Sequence, residues 1–234
     1  MNIKIDSRCV KEGDTFIAIR GINDDGHKYV IDAINNGATT VIVEEGEYSV
    51  NTIVVKDTKK YLEEYLENNY YDKIKKLKLI GMTGTNGKTT TCYLIYQALN
   101  KVGIKCAYIG TLGFYTEEQR ILSNTTPNLY EMYNMLLECI DKGYEYVVME
   151  VSSQGISMGR VNTLIFDYVI FSNLTQDHLD YHGTMQSYVL EKQKLFIMTN
   201  ESIAIINNDD EYKDYFLLDN KNITYGKTNR YDWY

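Results

Sequence analysis

Gly81-Met-Thr-Gly-Thr-Asn-Gly-Lys-Thr-Thr90 is the stretch on which the fold turns. A glycine-rich loop between a strand and a helix points successive backbone N–H groups and a helix N-terminus at one spot, making an anion site without net protein charge. Upstream, Leu77-Lys-Leu-Ile80 reads as a short strand. Downstream, Lys88 to Val102 carries Leu94, Ile95, Ala98, Leu99 and Val102 at helical spacing and meets a stop at Gly103. Lys88 is placed to reach β- and γ-phosphates, and Thr89 to offer its hydroxyl to Mg²⁺. The strict GxxxxGK(S/T) pattern fails, because Met82 stands where its first glycine belongs and Gly81 lies one residue earlier. Nucleotide binding therefore rests on the strand-loop-helix context and on the Gly87-Lys-Thr-Thr90 ending.

Working outward, Cys106-Ala-Tyr-Ile109 is a second strand. Thr126 is expected as the N-cap of a helix with Pro127, the chain's one proline, at its first position; the helix ends at Gly143. Tyr146-Val-Val-Met-Glu-Val151, Asp167-Tyr-Val-Ile-Phe171 and Ser202-Ile-Ala-Ile-Ile206 are continuous apolar runs of strand length, as a parallel sheet covered on both faces requires. A helix over Met185 to Met198 separates the last two. Strands alternating with helices predict a doubly wound, mostly parallel α/β domain over 77–234. Before it, Thr15-Phe-Ile-Ala-Ile19, Thr40-Val-Ile-Val43 and Thr52-Ile-Val-Val55, with a short helix from Tyr29 to Asn36, make a small α/β module over 1–76. An amphipathic helix within Tyr61 to Lys78 leads to a boundary near Lys76.

The 234 residues carry 24 basic and 32 acidic side chains, a net charge of −8, which repels a nucleic-acid backbone. Cys9, Cys92, Cys106 and Cys139 are widely spaced, with no CxxC pair, and read as reduced cytosolic thiols. With no signal peptide and no apolar run near 20 residues, a cytoplasmic protein without a membrane span is expected.

In a doubly wound sheet ligands gather at the carboxyl ends of the strands. Glu150 ends one such strand, where a carboxylate needs a partner or a cation; a metal role beside the nucleotide competes with a glutamate simply reaching solvent. The next strand runs into Ser172-Asn-Leu-Thr-Gln-Asp-His-Leu-Asp-Tyr-His182. His178 there can bind a metal or a phosphate oxygen, oriented by Asp177 or Asp180, or can be a solvated loop residue. Lys192, four residues after Tyr188 on one helix face, reads by itself as a surface lysine.

Four segments resemble the Mur ligase family, and within it the MurE-type UDP-N-acetylmuramoyl-dipeptide ligases: Thr83-Gly-Thr-Asn-Gly-Lys-Thr89, Asn124-Thr-Thr-Pro127, Met149-Glu-Val-Ser-Ser153 with Gly159-Arg-Val161, and Asn173-Leu-Thr-Gln-Asp-His-Leu-Asp-Tyr-His-Gly-Thr184. Asp6-Ser-Arg8, Gly13-Asp-Thr-Phe16 and Asp25-Gly-His27 are similar to the family's uridine-nucleotide domain. The resemblance implies a three-domain enzyme of the cytoplasm, acting as a monomer. With ATP it activates the carboxylate of UDP-N-acetylmuramoyl-L-alanyl-D-glutamate as an acyl phosphate, on which an amino acid forms an amide. It implies ATP binding by Gly84, Thr85, Asn86, Gly87, Lys88, Thr89 and Thr90; one Mg²⁺ on Thr89 and Glu150; and a second metal served by His178 and by Lys192 as a carbamate. Ser7 with Ile22, Asn23 and Asp24 would hold the uridine end, and Asn124, Thr125, Thr126, Ser152 and Arg160 the muramoyl-peptide end. Gln154 and Met158 depart from the family's usual His and Gln, which leaves the exact acceptor open. On the family pattern the ATP-binding domain over 77–234 is incomplete and the C-terminal domain absent, so this length alone is expected to be inactive. The alternative is a shortened, non-catalytic paralogue that still holds the UDP-muramoyl peptide or ATP.

Overall fold

The computed structural model describes residues 2–21, 24–198, 202–219 and 221–227. Its chain divides into two compact units, Met1–Tyr71 and Asp72–Tyr234. In the first, β1 (Ile3–Lys4), β2 (Thr15–Ile17), β3 (Thr40–Val43) and β4 (Asn51–Val54) form a wholly parallel sheet in chain order. Helix α1 (Val30–Asn35) turns Val30 and Ala33 onto Phe16, Val41 and Val43, and these side chains form the unit's core. Helix α2 (Thr58–Ile74) follows β4, with Leu62 and Leu66 buried.

The second unit contains β5 (Lys78–Thr83), α3 (Lys88–Lys101), β6 (Cys106–Gly110), β7 (Gly113–Tyr115), β8 (Gln119–Arg120), α4 (Leu129–Asp141), β9 (Tyr146–Glu150), α5 (Ser153–Ser157), β10 (Tyr168–Phe171), α6 (Leu179–His182), α7 (Met185–Ile197), β11 (Ile203–Asn207) and β12 (Asn222–Tyr225). The sheet order is β12-β11-β10-β5-β9-β6-β7-β8. All neighbours are parallel except the β6–β7–β8 arm. The expected fold class holds, with that antiparallel arm added. The two strands it adds, β7 with three residues and β8 with two, are too short to show a period in the sequence. Every residue of β6 is buried, as are Val147 to Glu150 and Val169 to Phe171, which explains why these strands read as unbroken apolar runs.

Two local expectations change. Strand β5 continues through Gly81, Met82 and Thr83, because these residues pair with Met149 and Glu150 on one side and with Val169, Ile170 and Phe171 on the other. The cap of α4 is Asn128, whose Oδ1 accepts the Glu131 N–H at 2.9 Å, and Pro127 lies before the cap rather than inside the first turn. Thr126 is unavailable as a cap because its hydroxyl donates to the Glu150 carbonyl (3.0 Å) and accepts the Ser152 N–H (3.0 Å), fastening the turn after β9.

After β5 the chain moves to β6 on one side and later to β10 on the other, so the strand order reverses around β5 and opens a crevice at the carboxyl ends of β5, β9 and β10. Among the described residues no helix is long and apolar enough to cross a membrane.

Candidate nucleotide and metal site

The loop after β5 is built by glycines in backbone regions that other residues avoid: Gly84 has φ +146° and Gly87, the residue before α3, has φ +85°. The segment after β10 then clamps it. Asn173 accepts the Thr85 N–H on its carbonyl (2.8 Å) and the Asn86 N–H on Oδ1 (2.9 Å). The Asn86 carbonyl takes the Ser172 hydroxyl at 2.8 Å and Asn173 Nδ2 at 3.0 Å. With its carbonyls tied back, the loop leaves the first N–H groups of α3 without intrahelical partners, the arrangement that attracts an anion.

Two lysines meet at this loop. Lys88 Nζ donates to the carbonyls of Gly84 and Thr85, both at 2.9 Å. Burial lowers its pKa, opposed by the nearby Glu150 and Asp177 carboxylates. Lys192 on α7 is not a surface residue: it is 1% exposed, its Nζ donates to the Gly84 carbonyl at 2.9 Å and lies 4.6 Å from the centre of the Tyr188 ring. Burial, and secondarily the positive Lys88, bring its pKa down to about 7, while Asp177 acts the other way.

Glu150, also 1% exposed, ends β9 at the wall of the cleft. Its two oxygens differ. Oε1 accepts the Tyr108 hydroxyl and the Thr111 N–H (2.9 Å), whereas Oε2 accepts the hydroxyls of Thr89 (2.8 Å) and Thr111 (3.2 Å). Four donors fill its acceptor positions and the side chain is buried, so the solvent-reaching alternative for Glu150 falls away. Burial and the Glu150 carboxylate push the Tyr108 phenol up, which keeps it a donor.

The cleft has a volume of about 620 Å³. It brings together the expected Thr85 to Thr90, Asn124 to Thr126, Glu150, Ser152, Arg160 and His178, and adds Thr111, Gln154 and Met158. Arg160 Nη1 donates to the Thr126 carbonyl at 2.7 Å and Nη2 meets Met158 Sδ at 3.1 Å. The Thr125 hydroxyl lies 3.1 Å from that of Thr111. His178 has φ +51° and an imidazole 3.5 Å from Asp177. Gly84 and Lys192 do not line the cleft. Ser7 and Asp24 belong to the first unit: the Ser7 carbonyl accepts Asn36 Nδ2 at 2.9 Å, and Asp24 accepts the Tyr29 hydroxyl at 2.8 Å. Ile22 and Asn23 lie outside the described residues.

Tyr108 and Thr111 shape the site without having been singled out from sequence, whereas Ser172 and Asn173 stand in segments quoted above but without a role assigned to them. The strand-end rule that finds Glu150, applied to β6, reaches Thr111. Nothing marks Tyr108, an aromatic residue in an apolar strand.

The oxygen chemistry suits Mg²⁺. Thr89 Oγ1 and Glu150 Oε2, a hydroxyl and a carboxylate oxygen hydrogen-bonded at 2.8 Å, are the hard oxygen ligands that ion takes. Among the described residues no group of three or more His, Cys, Asp or Glu could hold a metal by itself. Mg²⁺ seldom uses such a cage and takes one or two carboxylates together with phosphate oxygens and water.

Residues 82–234 match the Mur ligase middle domain, and residues 1–77 match the catalytic domain of the Mur ligase family. A UDP-N-acetylmuramoyl-L-alanyl-D-glutamate–2,6-diaminopimelate ligase of Clostridium perfringens is 43% identical over 216 residues, which cover 90% of this chain and 44% of that protein. The corresponding L-lysine ligase of Staphylococcus epidermidis is 39% identical over 226 residues, covering 92% and 45%. A solved structure of a 2,6-diaminopimelate ligase superposes with a TM-score of 0.78 at 32% identity, over 97% of this chain and 48% of that one. MurF from Acinetobacter baumannii shares the fold, with a TM-score of 0.73 at 24% identity over 95% of this chain and 47% of that one. The chain spans about half the length of the curated relatives it matches.

Proposed function

The chain belongs to the Mur ligase family, and on that premise we propose that it carries the ATP-binding and UDP-substrate-binding parts of a ligase that adds an amino acid to UDP-N-acetylmuramoyl-L-alanyl-D-glutamate. The observation that carries this reading is the Thr89–Glu150 pair at 2.8 Å, set at the wall of the cleft beside the phosphate loop.

In the proposed reaction a carboxylate oxygen of the dipeptide attacks the γ-phosphorus of ATP, and ADP leaves with the electron pair of the broken P–O bond. An amine then attacks the acyl phosphate carbon, loses a proton and expels phosphate. Both first reactants are anions, so the chain's task is to cancel their repulsion and hold them in line. The N-terminus of α3 receives the phosphates, and Lys88 leaves its two loop carbonyls to donate to the γ-phosphoryl oxygens. Thr89 and Glu150 would hold Mg²⁺, which when bound would supply positive charge to the phosphate oxygens. Asn124, Thr125, Thr126, Ser152 and Arg160 receive the muramoyl-peptide end, with the remaining Arg160 donors suited to a carboxylate or phosphate. Ser7, Ile22, Asn23 and Asp24 receive the uridine end. The chain's relatives include a 2,6-diaminopimelate ligase and an L-lysine ligase, and incubation with each amino acid distinguishes the two. The same reading makes the protein a cytoplasmic monomer.

We further assign Lys192 as a carbamate site facing a second metal, with His178 on that metal. The support is chemical: a buried amine with a pKa of about 7 is substantially neutral at physiological pH, the form that adds carbon dioxide by forming an N–C bond and releasing one proton. The product keeps one N–H, which can stay on the Gly84 carbonyl. Incubation with ¹³C-bicarbonate is expected to give a carbamate carbon resonance that is lost in Lys192→Met; the same resonance in that variant would refute the assignment.

The function is tested by following ADP release and amide formation with the UDP-dipeptide and either amino acid, on this chain and on one extended by any downstream coding sequence. Amide formation in either supports the ligase. Tight nucleotide binding with turnover in neither favours the non-catalytic paralogue. Lys88→Met is expected to weaken ATP binding about 30-fold while leaving AMP binding within about twofold, because only the outer phosphates lose a charged donor; titration calorimetry measures both.

A further inference from the structure

We propose that Tyr108, which touches neither the cleft nor its contents, is a positioning residue for the metal site: from inside the sheet its hydroxyl holds Oε1 of Glu150, so that Oε2 stays turned toward Thr89. This rests on the reading that Thr89 and Glu150 take Mg²⁺ beside a nucleotide.

The Glu150 carboxylate is held asymmetrically. The two donors on Oε2, the hydroxyls of Thr89 and Thr111, belong to residues lining the cleft and can rotate their protons away when a cation arrives. The two donors on Oε1 cannot leave so easily. One is the Thr111 peptide N–H. The other is the Tyr108 phenol, whose ring is wholly buried and meets the rings of Tyr93, Tyr96 and Tyr115 at centroid distances of 5.8, 6.4 and 5.6 Å. These aromatic neighbours come from α3 and β7, so the phenol is held from two elements besides its own.

Gly110 completes the arrangement. A Cβ at that position would lie 2.2 Å from Glu150 Oε1 and 2.4 Å from the Tyr108 hydroxyl oxygen. The absence of a side chain at Gly110 is what lets phenol and carboxylate meet. Strand register brings them there, since Tyr108 pairs with Val148 and Ile109 with Met149, one residue short of Glu150. A carboxylate fixed along one edge presents the other without having to be ordered when the metal binds, which lowers the cost of binding.

The test measures ATP affinity of the protein in EDTA and across a Mg²⁺ titration, for the wild type, Tyr108→Phe and Tyr115→Phe. Phe at 108 keeps the ring contacts and removes only the hydroxyl. It is expected to leave the EDTA affinity within about twofold and to raise the Mg²⁺ concentration at half-effect about 10–100-fold, the range for losing one hydrogen bond to a charged acceptor behind a metal ligand. Tyr115→Phe removes a hydroxyl from the same ring cluster but none that touches Glu150, and it is expected to change neither quantity. An unchanged Mg²⁺ midpoint in Tyr108→Phe, or an equal shift in Tyr115→Phe, overturns the proposal and leaves Tyr108 a packing residue. Thermal midpoints of each variant separate loss of fold from loss of metal. Tyr108→Met, apolar and adaptable in shape, is the second variant and is expected to give the same split. If the wild type binds ATP with no response to Mg²⁺, the Thr89–Glu150 reading itself fails and takes this proposal with it.

Discussion

Gly84→Ala is expected to destabilise the second unit by about 3 kcal/mol and to lower ATP affinity by at least about 100-fold. The backbone there has φ +146°, which costs a residue with a Cβ roughly 1–3 kcal/mol. The new Cβ would also stand 2.0 Å from the Ser172 hydroxyl oxygen, with the Asn173 carbonyl oxygen next at 3.1 Å. Ser172 can turn aside only by giving up its 2.8 Å bond to the Asn86 carbonyl, which adds about 1 kcal/mol and loosens the clamp on the loop. The Gly84 carbonyl is in addition the shared acceptor of Lys88 and Lys192, so a shift of this peptide disturbs both. Thermal unfolding should register a fall of about 6–12 °C. Adding Ser172→Ala to Gly84→Ala removes the closest contact but not the φ cost, and should recover part of the stability. Full recovery would show that the backbone conformation contributes little; no loss in Gly84→Ala would mean that the loop is not held as described.

Lys192→Met is expected to abolish a pH dependence of stability that the wild type shows above neutrality. An unfolded lysine titrates near 10.5, whereas Lys192 in the fold titrates at about 7. Between these values the unfolded chain binds more protons than the folded one, so stability rises with pH across the window, by up to about 1.4 kcal/mol per pH unit and roughly 5 kcal/mol in all. Below about 7 both states carry the proton and the fold bears a buried charge at full cost. Cys106 and Cys139, pushed up to about 12 by burial, work in the opposite direction once unfolded thiols ionise, so the useful window closes near pH 8.5. In carbon-dioxide-free buffer the wild type should gain about 2 kcal/mol between pH 7 and 8.5 relative to Lys192→Met. The variant should be the more stable protein at pH 6. Parallel profiles for the two would show that Lys192 is solvated rather than buried.

How much of this the sequence discloses depends on whether a residue's role is local. The loop is local: two glycines, a lysine and a helical stripe define it within twenty residues. Glu150 follows from the strand-end rule and from the cost of a carboxylate in an apolar run. Thr126 misleads, because Ser, Thr, Asn and Asp all suit a cap and the choice falls to Asn128 once the Thr126 hydroxyl is engaged by Glu150 and Ser152 across the sheet. Lys192 misleads in the same way when read alone. Helical spacing puts it on one face with Tyr188, but only the packing of α7 under the Gly84 peptide turns that face inward. Tyr108 lies deepest, since its role depends on the register of β6 against β9 and on the missing side chain of Gly110.

We propose that the cleft beside β5 receives the outer phosphates of a nucleotide, with Mg²⁺ on Thr89 and Glu150. Titration calorimetry of the protein with ATP, ADP and AMP, each with and without Mg²⁺, tests it most directly. ATP and ADP are expected to bind, AMP about 100-fold more weakly, and Mg²⁺ is expected to tighten ATP binding in the wild type but not in Glu150→Gln. AMP binding as tightly as ATP, with Mg²⁺ making no difference, would contradict it.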